Sequence, residues 1–480
     1  MAISVPYPIV RMLRWGDTGQ IIFAAAASIL AAAISVAIAL QEFALAAVIV
    51  CVPLLLLMPV QLSLGVFAFT LPFDSILLIG RGVTLAWLVG AAAGAILLVY
   101  GIMAKRLQKP PRAALWLGIF VLWTCASLVW SLDPAMSMER LPSVLSLYGL
   151  YVVAISFRIH PEERRAVVLL AIAGGSVAAC YAIREFSQGT AWVGSRASLV
   201  VGGLEANPND FASSLLLPLS LALGAFLTAR TFLKAAAMLA ALAVVALCIF
   251  LTMSRGSLFA LGAVLLTYLY RVGMHKRILL PFSLLVTTVF FLPSQFFRRL
   301  YEGVSSRAQG RFDIWDVSIQ IVKRYGLFGA GLENFHAAYN QFAGYAPIFR
   351  GFDRDPHNIY IQIFVETGIV GLVLFGVAIW SQFRPLRSFP KQQSPNYQLL
   401  AIEAGCWGLL AHGLAANLLW RKYFWLAWIL LAITVPETTQ EHRSGTQPDG
   451  ICELEAMPFA EPLRRSSTIL ATGRRQHFID

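Results

Sequence analysis

The sequence is poor in charged residues. Only 13% of its 480 residues are Asp, Glu, Lys or Arg, whereas 58% are hydrophobic. Soluble domains carry about 25% charged residues, so this chain has too little polar surface to cover its apolar side chains in water. The composition excludes an ordinary soluble protein and favours one that lies in a membrane.

Cysteine is also scarce, and its spacing does not suggest a metal site. The six cysteines form no CxxC pair, five of them lie singly in apolar runs, and Cys452 lies in the C-terminal tail. Structural disulfides and zinc sites are therefore not expected. The sequence gives no reason to predict a metal or an organic cofactor.

Long apolar runs are abundant. At about 1.5 Å per residue, several are long enough to cross a hydrocarbon core of about 30 Å as helices. The clearest are 20–40, 84–104, 113–130, 211–228 and 358–382. With shorter runs included, we predict an all-α, polytopic transmembrane helix bundle of about 12–14 spans. Transmembrane helices are expected in 1–292 and 358–435, with a large outer loop at 293–357 between them.

The charges between the runs predict the orientation, because cytoplasmic loops retain Lys and Arg. Basic breaks alternate with breaks that lack a basic excess, which places both termini in the cytoplasm. The expected inner breaks contain Arg11 and Arg14; Lys105, Arg106, Lys109 and Arg112; Arg158, Arg164 and Arg165; Arg230 and Lys234; Arg271, Lys276 and Arg277; and Arg384, Arg387 and Lys391. The breaks around Asp74, Asp133 and Asp210 and the loop 293–357 are expected outside. The same scheme places Arg421 and Lys422 on the outer side of the membrane, where basic residues are normally few.

Residues 436–480 are polar and lack apolar periodicity, which predicts a disordered cytoplasmic tail. The formal net charge of the chain is +12. Basic inner loops explain much of this excess, so the charge gives no reason to expect nucleic acid as a partner. The expected surroundings are the lipid bilayer of a bacterial inner membrane.

The outer loop 293–357 is unusual because it holds eight Lys and Arg residues on the side where cations are normally few. Within it Phe312, Trp315, Ile319 and Val322 recur at helical spacing, which predicts an amphipathic helix at the outer membrane surface. The segment 326–331 follows with three glycines. It is consistent either with a flexible turn or with a loop whose N–H groups bind an anion.

The next apolar run begins at Asp355-Pro356-His357-Asn358. Asn358, Gln362 and Glu366 follow at intervals of four and form a polar stripe, which must face protein or water. Glu366 fits a helix-packing hydrogen bond as well as a catalytic role. Because His357 and Glu366 lie nine positions apart, on opposite sides of a straight helix, they are not predicted to act as a pair.

Three arginines are expected on the outer side near His357. They are Arg196, Arg255 and Arg311, and together they suit a phosphate ester with two or three negative charges. Taken alone, Arg255 is also consistent with an arginine that reaches the membrane surface. His357 is also consistent with a simple helix-start residue.

These residues resemble the O-antigen ligase and polymerase superfamily of bacterial surface glycan enzymes. The similar pieces, in order, are Ser254-Arg255-Gly256, Gly310-Arg311-Phe312-Asp313-Ile314-Trp315, the segment 326–335, His357-Asn358-Ile359-Tyr360 and Glu366-Thr367-Gly368. The resemblance implies metal-independent, inverting transfer of a glycan from undecaprenyl diphosphate to an acceptor hydroxyl at the outer face of the membrane. It also implies that Arg255 and Arg311 hold the lipid diphosphate and that His357 serves the acceptor.

Arg196 is a further candidate for substrate binding, and Asn358 and Glu366 are candidates for supporting roles. The acceptor could be a glycan, a lipid core or a protein. The main alternative is a flippase or transporter of a lipid-linked oligosaccharide. Transporters usually place ionisable residues near the membrane midplane, whereas the polar residues here cluster outside. A structural membrane component would leave the arginines and the histidine unexplained.

Overall fold

The structure is a computed structural model. It describes residues 58–80, 83–189, 196–201, 204–273, 310–388 and 396–445, and scattered positions between 279 and 301. The chain divides into two units, Met1–Glu437 and Thr438–Asp480, and the site discussed below lies in the first. The predicted first span, 20–40, and the predicted tail beyond residue 445 lie outside the described residues.

Helices dominate the described residues. They are α1 (Gln61–Phe73), α2 (Leu85–Met103), α3 (Arg112–Ala126), α4 (Pro134–Ser156), α5 (Pro161–Gln188), α6 (Pro208–Thr228), α7 (Phe232–Leu251), α8 (Arg255–Val272), α9 (Arg311–Tyr325), α10 (Phe335–Phe342), α11 (Ile359–Phe383), α12 (Tyr397–His412) and α13 (Lys422–Gly445). Two short antiparallel ribbons pair β1 (Leu78–Gly80) with β2 (Val83–Thr84) and β3 (Val200–Val201) with β4 (Leu204–Glu205).

Seven helices in the described part of the chain are long and apolar enough to cross a membrane. They are α2 to α7 and α11, while α1 and the apolar part of α13, Lys422–Val435, are shorter. This confirms the predicted all-α, polytopic helix bundle. The total of 12–14 spans stays a prediction, as do the domain boundaries.

Helix α6 lies at the centre of the bundle. Its apolar window is 83% buried, against 28–50% for the other six long apolar helices, so α6 is enclosed by protein. Helices α8 and α12 pack against each other, and α12 also packs against α6, while α11 packs against α3. Helix α8, which begins with Arg255, and α11, which begins just after His357, are thus fixed by neighbouring helices.

Asn207, Asn209 and Asp210 are all residues of types that cap helices, and the structure uses the first of them for α6. The cap is Asn207, whose side chain accepts a hydrogen bond from the Asn209 N–H at 2.9 Å. The reason is Pro208, which suits the first helical position because its missing N–H would have no helical partner there. The side chain of Asn209 is therefore available for another contact.

The contacts between loops agree with the predicted grouping of the breaks. At one end of the bundle, Arg106 forms an ion pair with Glu163 at 2.6 Å, which joins two breaks expected inside. At the other end, Lys422 pairs with Asp74 at 2.8 Å and Arg421 with Asp210 at 2.5 Å, which joins breaks expected outside. Which end faces the cytoplasm stays a prediction.

Helix α9 forms as predicted, and the face that it buries in protein is a second one, different from the apolar stripe expected at the membrane surface. The buried residues are Asp313, Ile314, Val317, Ser318 and Ile321, which pack on α10 and α11 in a small second core. Phe312 and Ile319 of the predicted stripe are 45% and 55% exposed. The helix has apolar side chains on two faces, and the sequence periodicity favoured the outer one.

Candidate active site

Arg255 is positioned by a sharp turn between α7 and α8. Met253 has a left-handed backbone, with φ of +49°, which reverses the chain just after α7 ends. Ser254 then caps α8 by accepting a hydrogen bond from the Ser257 N–H, so Arg255 is the first helical residue. A methyl group on Gly256 would lie 2.7 Å from Ala415, which explains why glycine stands there.

Arg311 is also the first residue of a helix. Gly310, with φ of +84°, provides the left-handed turn that precedes α9, and a Cβ there would come within 2.7 Å of the Arg350 Nε. Arg350 is held by the fully buried carboxylate of Asp313, with N–O distances of 2.6 and 2.8 Å. In this Gly-Arg-Phe-Asp sequence, Gly310 provides the turn, Arg311 is the site residue and Asp313 anchors the later loop through Arg350.

Arg196 is buried and held by two acceptors. Its Nε donates to the Thr252 carbonyl oxygen at 2.6 Å, and one terminal nitrogen donates to Asn209 Oδ1 at 2.7 Å. The first contact ties Arg196 to the turn that carries Arg255. The second contact is to Asn209, whose side chain is available because Asn207 caps α6.

The three arginines line one pocket, as the sequence predicted. The pocket is lined by Arg196, Asn209, Met253, Ser254, Arg255, Gly256, Arg311 and Ala415. Burial, followed by the charge of Arg255, lowers the pKa of Arg311. Two like charges placed this close repel each other, and a bound anion with several negative charges would offset that repulsion.

His357 lies beside this pocket, at the start of α11. Its φ of +46° is a left-handed conformation that costs a residue other than glycine about 1–3 kcal/mol. The conformation is held from both sides: the Trp315 indole donates to the Pro356 carbonyl oxygen at 2.9 Å, and Asn358 caps α11 by accepting from the N–H groups of Tyr360 and Ile361. Asn358 therefore supports the site as a helix cap.

The imidazole of His357 is held towards its neutral form. Burial is the largest cause of its lowered pKa, and the charge of Arg311 acts in the same direction. Asp355 and Asp210 oppose the shift without cancelling it. A neutral imidazole is the form that can accept a proton.

The structure adds charged residues that the sequence reasoning did not assign to the site. Arg421 pairs with Asp210, and the neighbouring Lys422 pairs with Asp74. The signal was present in the sequence, because these two cations contradicted the predicted alternation of charges. Their carboxylate partners come from breaks far away in the chain, which only the fold could show.

A second histidine also lies near His357. The ring nitrogen Nε2 of His336, on α10, lies 3.0 Å from Asp355 Oδ1. This hydrogen bond raises the pKa of His336 and lowers that of Asp355. Asn340, one turn further along α10, exchanges two hydrogen bonds with Asp353, so α10 clasps the segment that leads to His357.

In the glycine segment 326–331, the N–H groups of Gly329, Ala330 and Gly331 are not available to an anion. The N–H groups of these three residues donate to carbonyl oxygens of Tyr325, Val365 and Glu366. The segment packs against a kink in α11 at Gly368, which has a non-helical backbone. The expectation of an anion site was therefore wrong for these three N–H groups, and the segment is a turn that packs against α11.

Glu366 lies in a different environment from His357. It is 2% exposed, accepts a hydrogen bond from Gln362 at 3.1 Å and lies near the Arg140–Glu333 ion pair. Its backbone carbonyl accepts from the Gly331 N–H. The polar stripe thus begins with a helix cap and ends in a packing contact at the kink, which is the packing role considered for Glu366.

The fold and the site together define a class of protein: an all-helical, polytopic membrane protein with a three-arginine pocket beside a histidine at one end of the bundle. Residues 239–376 match the family model described as O-Antigen ligase. The match covers less than a third of the chain, and it confirms the resemblance to the O-antigen ligase and polymerase superfamily. It includes Arg255, Arg311 and His357 but not Arg196. No curated protein and no solved structure matches the chain.

Proposed function

We propose that this protein is a metal-independent, inverting glycosyltransferase of the bacterial inner membrane. It moves a glycan from undecaprenyl diphosphate to an acceptor hydroxyl at the periplasmic face. The acceptor is a glycan, a lipid core or a protein. The observation that carries the proposal is the pocket that joins Arg196, Arg255 and Arg311 beside a histidine with a lowered pKa.

The arginines suit the donor. When the bond between the anomeric carbon and the diphosphate oxygen breaks, its electron pair stays with the diphosphate, and negative charge accumulates there. Guanidinium groups already in place stabilise that charge without having to reorganise. Arg255 and Arg311 are assigned to this contact, while Arg196, held by Thr252 and Asn209, fixes the third side of the pocket.

The position of the pocket suits a donor anchored in lipid. Arg311 lies on α9, whose exposed side carries Phe312 and Ile319. Apolar side chains of this kind let a helix lie in the interface between headgroups and acyl chains. Such a placement would bring Arg311 to the level of the diphosphate of a membrane-bound donor.

His357 suits the acceptor. The acceptor oxygen forms a bond to the anomeric carbon from the face opposite the leaving diphosphate, while its proton passes to the neutral imidazole. General-base catalysis of this type contributes about 10²–10⁴-fold to the rate. Each transfer yields one glycosidic bond and one free lipid diphosphate, with inversion at the anomeric carbon.

The direct test uses the purified protein in liposomes that contain an undecaprenyl-diphosphate oligosaccharide and a soluble glycan acceptor. We expect lipid diphosphate and glycosylated acceptor to appear together, and mass analysis of the product will separate a single addition from chain extension. Movement of intact donor across the bilayer, with no bond cleaved, would instead identify a flippase and contradict the proposal.

A further inference from the structure

The turn between α12 and α13 contacts both the arginine pocket and the start of α11, next to His357. Ala415 in this turn lines the pocket and lies against Gly256. The Gly413 carbonyl oxygen accepts a hydrogen bond from the Ile359 N–H at 2.8 Å, at the start of α11. The turn therefore connects the two parts of the site.

Asn417, at the end of this turn, bridges the two sides of His357. Its Nδ2 donates to Asp355 Oδ1 at 3.0 Å, and its Oδ1 accepts from the Asn358 N–H at 3.2 Å. One side-chain amide thus contacts the residue two positions before the histidine and the residue directly after it. Both hydrogen-bonding ends of the amide are used.

The bridge spans His357, whose backbone conformation sets the direction of its imidazole. His357 has φ of +46°, a conformation that side chains other than glycine rarely adopt unless the surroundings impose it. The Trp315 indole fixes Pro356, and His336 fixes Asp355, but neither reaches beyond His357. Asn417 does so, because its side chain joins Asp355, before the histidine, to Asn358, after it.

We propose that Asn417 is a positioning residue that holds His357 in its left-handed conformation and so aims the imidazole at the acceptor hydroxyl. This inference rests on the proposed glycosyl transfer, because it assigns His357 a proton to remove. Asn417 acts through His357. Its loss lowers the rate of the chemical step and leaves donor binding in place.

The test is a suppression experiment in the liposome assay. Asn417→Asp keeps the shape of the side chain but replaces the donor amide by a carboxylate that faces Asp355. We expect kcat to fall by about 10- to 100-fold, as for a misplacement of about 1 Å, with the donor KM unchanged. Asp355→Asn in the same protein restores a donor–acceptor pair with the opposite polarity, so kcat should recover.

Two further variants complete the experiment. Asn417→Ser removes the bridge without adding charge, and we expect it to show the same fall in kcat. It tests the positioning role even if the Asp variant does not fold. Asn396→Asp is the matched control, because Asn396 caps the other end of α12 and aspartate is an equally good cap. We expect it to leave kcat and KM unchanged.

The outcomes separate the two proposals. Wild-type kcat in both Asn417 variants would overturn the positioning role, and so would an Asn417→Asp defect that Asp355→Asn does not relieve. A rise in donor KM in place of a fall in kcat would place Asn417 in the donor pocket and would equally contradict it. Absence of transfer by the wild-type protein would instead refute the proposed function.

Discussion

At the scale of single residues, the backbone of His357 decides which replacement tests its chemistry. Alanine would strain a position with φ of +46°, whereas asparagine tolerates the left-handed region better than most residues. We expect His357→Asn to keep the thermal stability of the protein and to lower transfer by about 10²–10⁴-fold, because an amide cannot act as a general base. Near-normal transfer by this variant would reduce His357 to a helix-start residue.

In the proposed mechanism, the arginines act on the donor and not on the acceptor. Removing a charge-assisted hydrogen bond costs about 1.5–3 kcal/mol, so Arg255→Ala should weaken binding of the lipid-linked donor by roughly 10- to 100-fold. Lysine should restore only part of the loss, because it lacks the planar fork of arginine. The matched control is Arg324→Ala, which removes an exposed arginine at the far end of α9. Equal donor affinity in both alanine variants would exclude the phosphate contact.

The pH dependence of transfer should reveal the link between Arg311 and His357. Burial and Arg311 lower the pKa of His357, so the imidazole stays neutral to a more acidic pH than a free histidine. The acid limb of kcat/KM should therefore lie below about pH 6.5 in the wild-type protein. Arg311→Gln removes one cause of the shift, so the same limb should move to higher pH. A limb that does not move would show that another group titrates.

At the scale of structural elements, the glycine loop and the kink in α11 form one unit. Gly329 has φ of +83°, and a Cβ there would lie 2.3 Å from the carbonyl oxygen of Glu366. The same kink in α11 places Gly368 against Leu327, so each segment depends on the other for its shape. This close packing explains the glycines at 329 and 368, and the N–H groups of residues 329–331 are used in backbone hydrogen bonds.

Replacing Gly329 should therefore destabilise the protein. We expect Gly329→Ala to cost about 1–3 kcal/mol, since both the backbone conformation and the close contact oppose a side chain. Thermal unfolding in detergent will measure the loss. Gly344→Ala is the control, because a Cβ there meets nothing within 4 Å. A melting temperature equal to that of the control would show that the loop can move away from α11.

At the scale of the whole molecule, the predicted orientation has a direct test. Tyr345, 66% exposed, follows α10 at the end that holds the arginine pocket, whereas the exposed residue Gln108 follows α2 at the opposite end. The charge pattern predicts that Tyr345→Cys reacts with a membrane-impermeant thiol reagent in intact spheroplasts and that Gln108→Cys does not. The parent protein supplies the background labelling. The reverse pattern would move the arginine pocket to the cytoplasm.

The sequence by itself determined the features of the protein that depend on local properties of the chain. Composition and run length were enough for a polytopic helix bundle, because each span is apolar along its own length. The ordered pieces around Arg255, Arg311 and His357 were enough for the family resemblance, and the expected outer position of Arg196 added a third arginine to the candidate site. These predictions needed no knowledge of how the helices pack.

The tertiary structure decided everything that depends on a partner distant in the chain. Asn417 lies 60 positions from His357 and forms no pattern with it, so its bridge could not be read from the sequence. The buried face of α9 was also decided by packing, since the helix has apolar side chains on two sides and α10 and α11 cover one of them. Asp210 and Arg421, 211 residues apart, meet for the same reason. Periodicity describes one element at a time, whereas these contacts exist only once several helices share a core.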